Sequence, residues 1–163
     1  MIKMDALKKM LENMGFQNVE TYIQSGNVFF DSEEENAASV GFKIKQEISK
    51  VFGYDVPVIM VSKTDLELCF KNNPFLKEKE CDIKKLYVAF ISKELSPLAI
   101  NDLKISNFKP DEAAIDSNRI YIKYAIGAGK TNLDQKYKEK KLNVVATMRN
   151  WNTVTKLLEM YNV

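Results

Sequence analysis

Apolar residues at Met4, Leu7, Met10, Leu11 and Met14 recur at the spacing of one helical face, and Gly15 follows where a left-handed cap would end the helix. Val19 to Gln24 then reads as a strand, Ser25-Gly26-Asn27 as a tight turn, and Val28 to Asp31 as the returning strand of a hairpin. After the acidic loop, Ala38, Phe42, Ile44, Ile48, Val51 and Phe52 mark a second amphipathic helix closed by Gly53. The β-branched run Val56 to Val61 predicts a strand. A short helix capped by Thr64 should run to Phe70 and stop at Asn72-Asn73-Pro74.

Beyond the charged stretch 77–85, Leu86 to Ile91 predicts a strand, and Ser96-Pro97 opens a short helix with proline in its first turn. Ala113 to Asp116 should pair with Arg119 to Tyr124 across Ser117-Asn118, followed by a charged helix from Leu133 to Leu142 and a brief strand Val144-Val145-Ala146. Trp151, Val154, Leu157, Leu158 and Tyr161 then form one face of a last helix, with Asn150 or Asn152 as its cap. The order predicts an α+β protein with antiparallel sheets: two tandem ferredoxin-like (split βαβ) units, the first missing its opening strand, plus the C-terminal helix. The expected division is 1–76, a linker at 77–85, and 86–163.

Composition narrows the chemistry more than it narrows the fold. The chain of 163 residues is long enough for a core without staples, and no apolar run approaches a membrane span. A signal-peptide pattern is absent from the first residues, which predicts a cytoplasmic protein. Cys69 and Cys81 read as free thiols, and no cofactor or metal is expected. The absence of histidine removes Ser-His-Asp and Cys-His catalysis and every histidine-ligated metal. Residues 1–82 carry 10 basic and 14 acidic side chains, whereas 83–163 carry 14 and 8, with Lys136, Lys138, Lys140 and Lys141 the basic extreme. Such asymmetry could draw an anionic partner to the second half, although solvated faces on two exposed helices are the simpler explanation.

Tyr22-Ile23-Gln24-Ser25-Gly26-Asn27-Val28, Asn73-Pro74-Phe75 and Arg149-Asn150-Trp151-Asn152-Thr153-Val154, in this order, closely resemble the bacterial family called domain of unknown function 1697. The resemblance spans essentially the whole chain. It implies a small cytoplasmic α+β protein with ferredoxin-like elements and no established activity, cofactor or catalytic residues. Such proteins usually begin with an apolar strand and an Arg-Gly-Ile-Asn-Val-Gly-Gly type segment, whereas Met1 here runs almost directly into the first helix. The expected origin is a shortened form of a longer protein, and the expected consequence is self-association through open sheet edges.

Three constellations remain. Ile126-Gly127-Ala128-Gly129-Lys130-Thr131 imitates a phosphate loop, but Tyr124 stands where that loop needs glycine, and an ordinary turn explains it. Tyr22, Phe29, Tyr87, Phe90, Tyr121 and Tyr124 lie on predicted strands and could stack bases, although half of such rings must be core. Gln24, Ser25 and Asn27 at the first turn and Arg149, Asn150 and Asn152 at the last helix start form the candidate ligand-binding set. Arg149 is the member that local structure explains least, because a cation at a helix N-terminus opposes the dipole. The expectation is a protein that binds a small anionic or nucleotide-like ligand near Arg149 and the Ser25 turn. Nucleic-acid binding through the basic half is the alternative, as is an enzyme that would need an exposed low-pKa thiol.

Overall fold

The computed structural model describes residues 1–23 and 26–162, with the side chain of Lys130 excepted. It is an α+β protein with two antiparallel sheets and a C-terminal helix, and it divides into two compact units, Met1–Met60 and Val61–Val163.

The first unit holds helix α1 (Met4–Asn13), a hairpin of β1 (Gln17–Tyr22) and β2 (Asn27–Asp31), and helix α2 (Ala37–Phe52). Gly15 at φ 95° ends α1, and Gly53 at φ 74° ends α2, both in the conformation glycine adopts without a Cβ penalty. Met10, Leu11, Val19, Val40, Ile44 and Ile48 form the core, with the Phe16 and Phe30 rings 4.5 Å apart beside it. Phe42, expected on that face, is 61% exposed. It stands two positions from Ile44, about 200° around the helix, so the two side chains cannot share a stripe.

Among the described residues the run Val56 to Val61 pairs with no strand. Val56, Val58 and Met60 pack instead on the first unit's core, and the Met60 Cγ lies 3.1 Å from the Cβ position of Gly41. β-branched preference reports a fit to a half-buried surface, which a helix face supplied here in place of a ladder. Among the described residues this unit's sheet therefore has two strands.

The second unit begins with helix α3 (Lys63–Asn72). Ser62 rather than Thr64 is its cap: the Ser62 hydroxyl accepts the Asp65 N–H at 3.1 Å while the Asp65 carboxylate accepts the Ser62 N–H at 2.8 Å. Strands β3 (Leu86–Ile91), β4 (Glu112–Asp116), β5 (Arg119–Lys123) and β6 (Ala146–Asn150) form one antiparallel sheet in the order β4-β5-β3-β6. Helix α4 (Gln135–Leu142) precedes β6 and helix α5 (Trp151–Tyr161) follows it. The last strand is thus not Val144 to Ala146 but the polar segment after it, with Met148 opposite Ala89 and Arg149 opposite Val88.

Both faces of this sheet are covered. On one side Ala89, Ile91, Ile120 and Ile122 pack with Leu103, Leu133 and Leu142. The alternate residues Val88, Phe90 and Tyr121 are buried as well, on the side of α3 and α5, where Phe70 meets Trp151 at 4.7 Å between ring centroids. Residues 77–85, expected as a linker, belong to this unit: Glu78 pairs with Lys123 at 2.7 Å, and Ile83–Lys85 forms a 3-10 turn beside α5. The division between units falls before α3 for the same reason, since α3 packs on α5.

Candidate functional site

The segment that joins β6 to α5 places three of the candidate residues together. Strand and helix meet without a loop, so Asn150 is both the last residue of β6 and the cap of α5, its Oδ1 accepting the Thr153 N–H at 2.8 Å. Trp151 follows at 3% exposure and anchors the helix start. Arg149 is half-buried, and its Nη1 donates to the Thr147 hydroxyl at 2.7 Å and to the Met148 carbonyl at 3.0 Å. Both acceptors are neutral oxygens that orient the guanidinium. Burial pushes the Arg149 pKa below its ordinary value. Asn152 is exposed on the first turn and Asn150 has taken the capping role from it.

Gln24 and Ser25 lie outside the described residues. Asn27 belongs to the first unit, where its Nδ2 donates to the Tyr22 carbonyl at 3.2 Å as turn chemistry requires.

Sequence reasoning missed two buried polar centres. Arg119, 3% exposed, donates to Asp116 at 2.9 Å, to the Tyr121 hydroxyl at 3.3 Å and to Asn118 at 3.2 Å, and lies 3.5 Å from Asp65. Burial would raise the Asp116 carboxyl, but bonds from Arg119, Asn72 and Tyr121 outweigh it and hold the group below its ordinary value. The signal was available: Arg119 and Tyr121 are two apart on one strand, so both point to the same face.

The second centre is Lys138, with no exposed surface. Its Nζ donates to the Leu133 carbonyl at 2.8 Å, the Asp134 carbonyl at 3.2 Å and the Tyr124 hydroxyl at 3.2 Å. Burial pushes its pKa down to about 8. The run of lysines concealed it, yet Lys138 stands four residues before buried Leu142 and so on the same helical face. The surface cluster expected from Lys136 to Lys141 therefore loses one member to the core.

Three functional expectations meet the structure here. The glycine loop forms only a 3-10 turn, Ala128–Lys130, and Thr131 donates to Asp111 at 2.8 Å while α4 begins further on, so the loop is an ordinary connection. Cys69 is fully buried and burial pushes its thiol up to about 12, the opposite of an activated nucleophile. Phe90, Tyr121 and Tyr124 are core rings, with no face open to a base. Among the described residues no three metal-ligating side chains cluster, and no helix is long and apolar enough to cross a membrane.

A solved structure, that of the conserved bacterial protein SP0830 from Streptococcus pneumoniae, is similar to 98% of this chain and 89% of its own, with a TM-score of 0.70 and 23% identity. That likeness is one of fold. No curated protein matches the sequence. The family described as "Protein of unknown function (DUF1697)" matches residues 1–121, short of the whole-chain resemblance expected from the motifs and ending before Arg149. The chain belongs to this DUF1697 family of unknown function.

Proposed function

We propose that the protein binds a small anionic, nucleotide-like ligand where Arg149 meets the start of α5. The observation that carries this reading is the half-buried guanidinium, oriented by Thr147 and Met148 beside the amino end of an 11-residue helix. A preset cation next to helix N–H groups suits a phosphate or carboxylate. Asn152, exposed one turn away, is placed to accept or donate to the ligand's polar edge.

Calorimetric titration with inorganic phosphate and with a nucleoside monophosphate tests the reading. Binding at ~1 mM or tighter, lost in Arg149→Gln, supports it. No heat from either probe overturns it. Binding to single-stranded nucleic acid that collapses steeply as salt rises would transfer the function to the basic surface of α4.

The second unit is a ferredoxin-like sheet: its order, β4-β5-β3-β6 with all neighbours antiparallel, is what a split βαβ connection produces. In that arrangement β6 is an edge strand, which brings Arg149 to the rim rather than the middle of the sheet.

A further inference from the structure

Strand β6 is an edge of its sheet, and helix α4 closes that edge in place of a further strand. The outward N–H of Ala146 donates to the Glu139 carboxylate at 2.9 Å, and that of Met148 donates to the Gln135 amide oxygen at 3.2 Å. Gln135 and Glu139 stand one helical turn apart, so α4 lays a row of side chains where a neighbouring backbone would otherwise pair.

Little apolar surface holds α4 there. Of its eight residues only Lys138 and Leu142 are buried, and half-buried Tyr137 donates its hydroxyl to the Leu103 carbonyl at 2.8 Å. The remaining tethers are polar bonds, which water replaces at small net cost. Eight residues are also too few for a helix that is stable alone. Leu133 before the helix and Val144 after it pack in the core, so both ends are anchored while the segment between them is not. Segments with few buried apolar contacts open ahead of the rest of a fold.

Lys138 biases that opening. When α4 is seated, its ammonium has no exposed surface and reaches only the Leu133 and Asp134 carbonyls, the Tyr124 hydroxyl and, at 3.5 Å, the Met148 Sδ. Tyr124 stays neutral because burial pushes its pKa up. Asp134 and Asp111 favour the ammonium through space, but Asp134 accepts the Tyr137 N–H and Asp111 accepts the Ala125 N–H and the Thr131 hydroxyl. Glu139, the next residue on the helix, is turned to the Ala146 N–H. Burial outweighs both aspartates and pushes the lysine down to about 8.

We propose that α4 is a cover over the β6 edge that opens as a unit while the other strands stay paired, and that hydration of the Lys138 ammonium favours the open form. The sign follows from proton counting. Opening is most frequent below pH 8, where both forms hold the proton and closing must desolvate it, and it declines as the closed form sheds that proton. Arg149 donates to Thr147 and to the Met148 carbonyl, neither of them on α4, so the cover and the anion site fail separately.

Hydrogen exchange on the whole chain, read amide by amide and corrected for the intrinsic effect of pH, tests the proposal. The amides of Leu142, Ala146 and Met148 should share one protection factor, lower than those of β3 and β5 and insensitive to low urea, because opening exposes little surface. Their protection should rise about tenfold from pH 7 to pH 9, as expected for a proton held to about 10.5 in the open form and about 8 in the closed one. In Lys138→Met that rise should vanish while the urea-insensitive opening persists. Where circular dichroism shows that Lys138→Met has not folded, Glu139→Ala serves instead: protection at Leu142 and Met148 should fall about fivefold, with β3 and β5 unchanged. Protection and urea dependence equal to those of β3 would overturn the cover, as would Ala146 and Met148 amides that stay protected while Leu142 exchanges. Protection that does not change between pH 7 and pH 9 would overturn the role of Lys138.

Discussion

Replacing Lys138 with methionine removes a charge from a site that has no exposed surface. The lysine holds its proton up to about pH 10.5 in the unfolded chain but only to about 8 in the native one. At ~1.4 kcal/mol per pH unit, native burial of the ammonium therefore costs roughly 3 kcal/mol at neutral pH. The direction with pH follows from proton counting. Between pH 8 and 10 the unfolded state binds the extra proton, so native stability rises with pH across that window and the whole penalty is present below it.

The substitution leaves few orphans. The Leu133 carbonyl keeps the Tyr124 hydroxyl as donor at 2.6 Å, and the Asp134 carbonyl keeps the backbone N–H of residue 138 at 3.2 Å. Lost bonds from the ammonium offset part of the gain, at about 1 to 3 kcal/mol. Lys138→Met should accordingly be at least as stable as the parent at pH 7, and the parent should gain on it as pH rises to 10. Urea unfolding read by Trp151 fluorescence, in the same unit, gives the difference at each pH. A variant clearly less stable than the parent at pH 7, or a difference that does not change with pH, would refute the reasoning.

Three further outcomes follow from the same geometry. Trp151→Ala should cost about 3 to 5 kcal/mol in denaturant unfolding, and a native fluorescence maximum like that of free tryptophan would contradict its burial. Asn150→Ala should cost about 1 kcal/mol while Asn152→Ala changes stability by no more than a few tenths, a contrast that thermal melts would reverse if Asn152 were the cap. Cys69 should react with a thiol reagent only after unfolding, and a native rate matching a model thiol would show that its environment is open.

Periodic signals were the legible ones. The stripe in α1, the hairpin of Ala113 to Asp116 with Arg119 to Tyr124 and the Trp151 helix follow from spacings of 3.6 or 2 with turn or cap residues at their ends, and the structure has them to within a residue at the hairpin's ends. Val56 to Val61 failed because composition describes a surface fit and says nothing of whether a neighbouring strand exists. The polar segment Thr147 to Asn150 failed in the opposite direction: partner strand β3, with side chains from α4, satisfies its backbone, so it needed no β-branched run. Of the candidate site, Arg149 and Asn150 were visible because a helix start explains one and not the other. Arg119 and Lys138 were hidden by their charge, since counting charged residues assumes they face water, and only facial spacing says otherwise.

The proposed anion site at Arg149 is tested most directly by amide shifts on titrating labelled protein with inorganic phosphate. Saturable shifts confined to Arg149 through Thr153, and absent in Arg149→Gln, are the expected result. Shifts that never saturate, or that spread over Lys136, Lys140 and Lys141 instead, would contradict a preset site and leave only diffuse attraction to a basic surface.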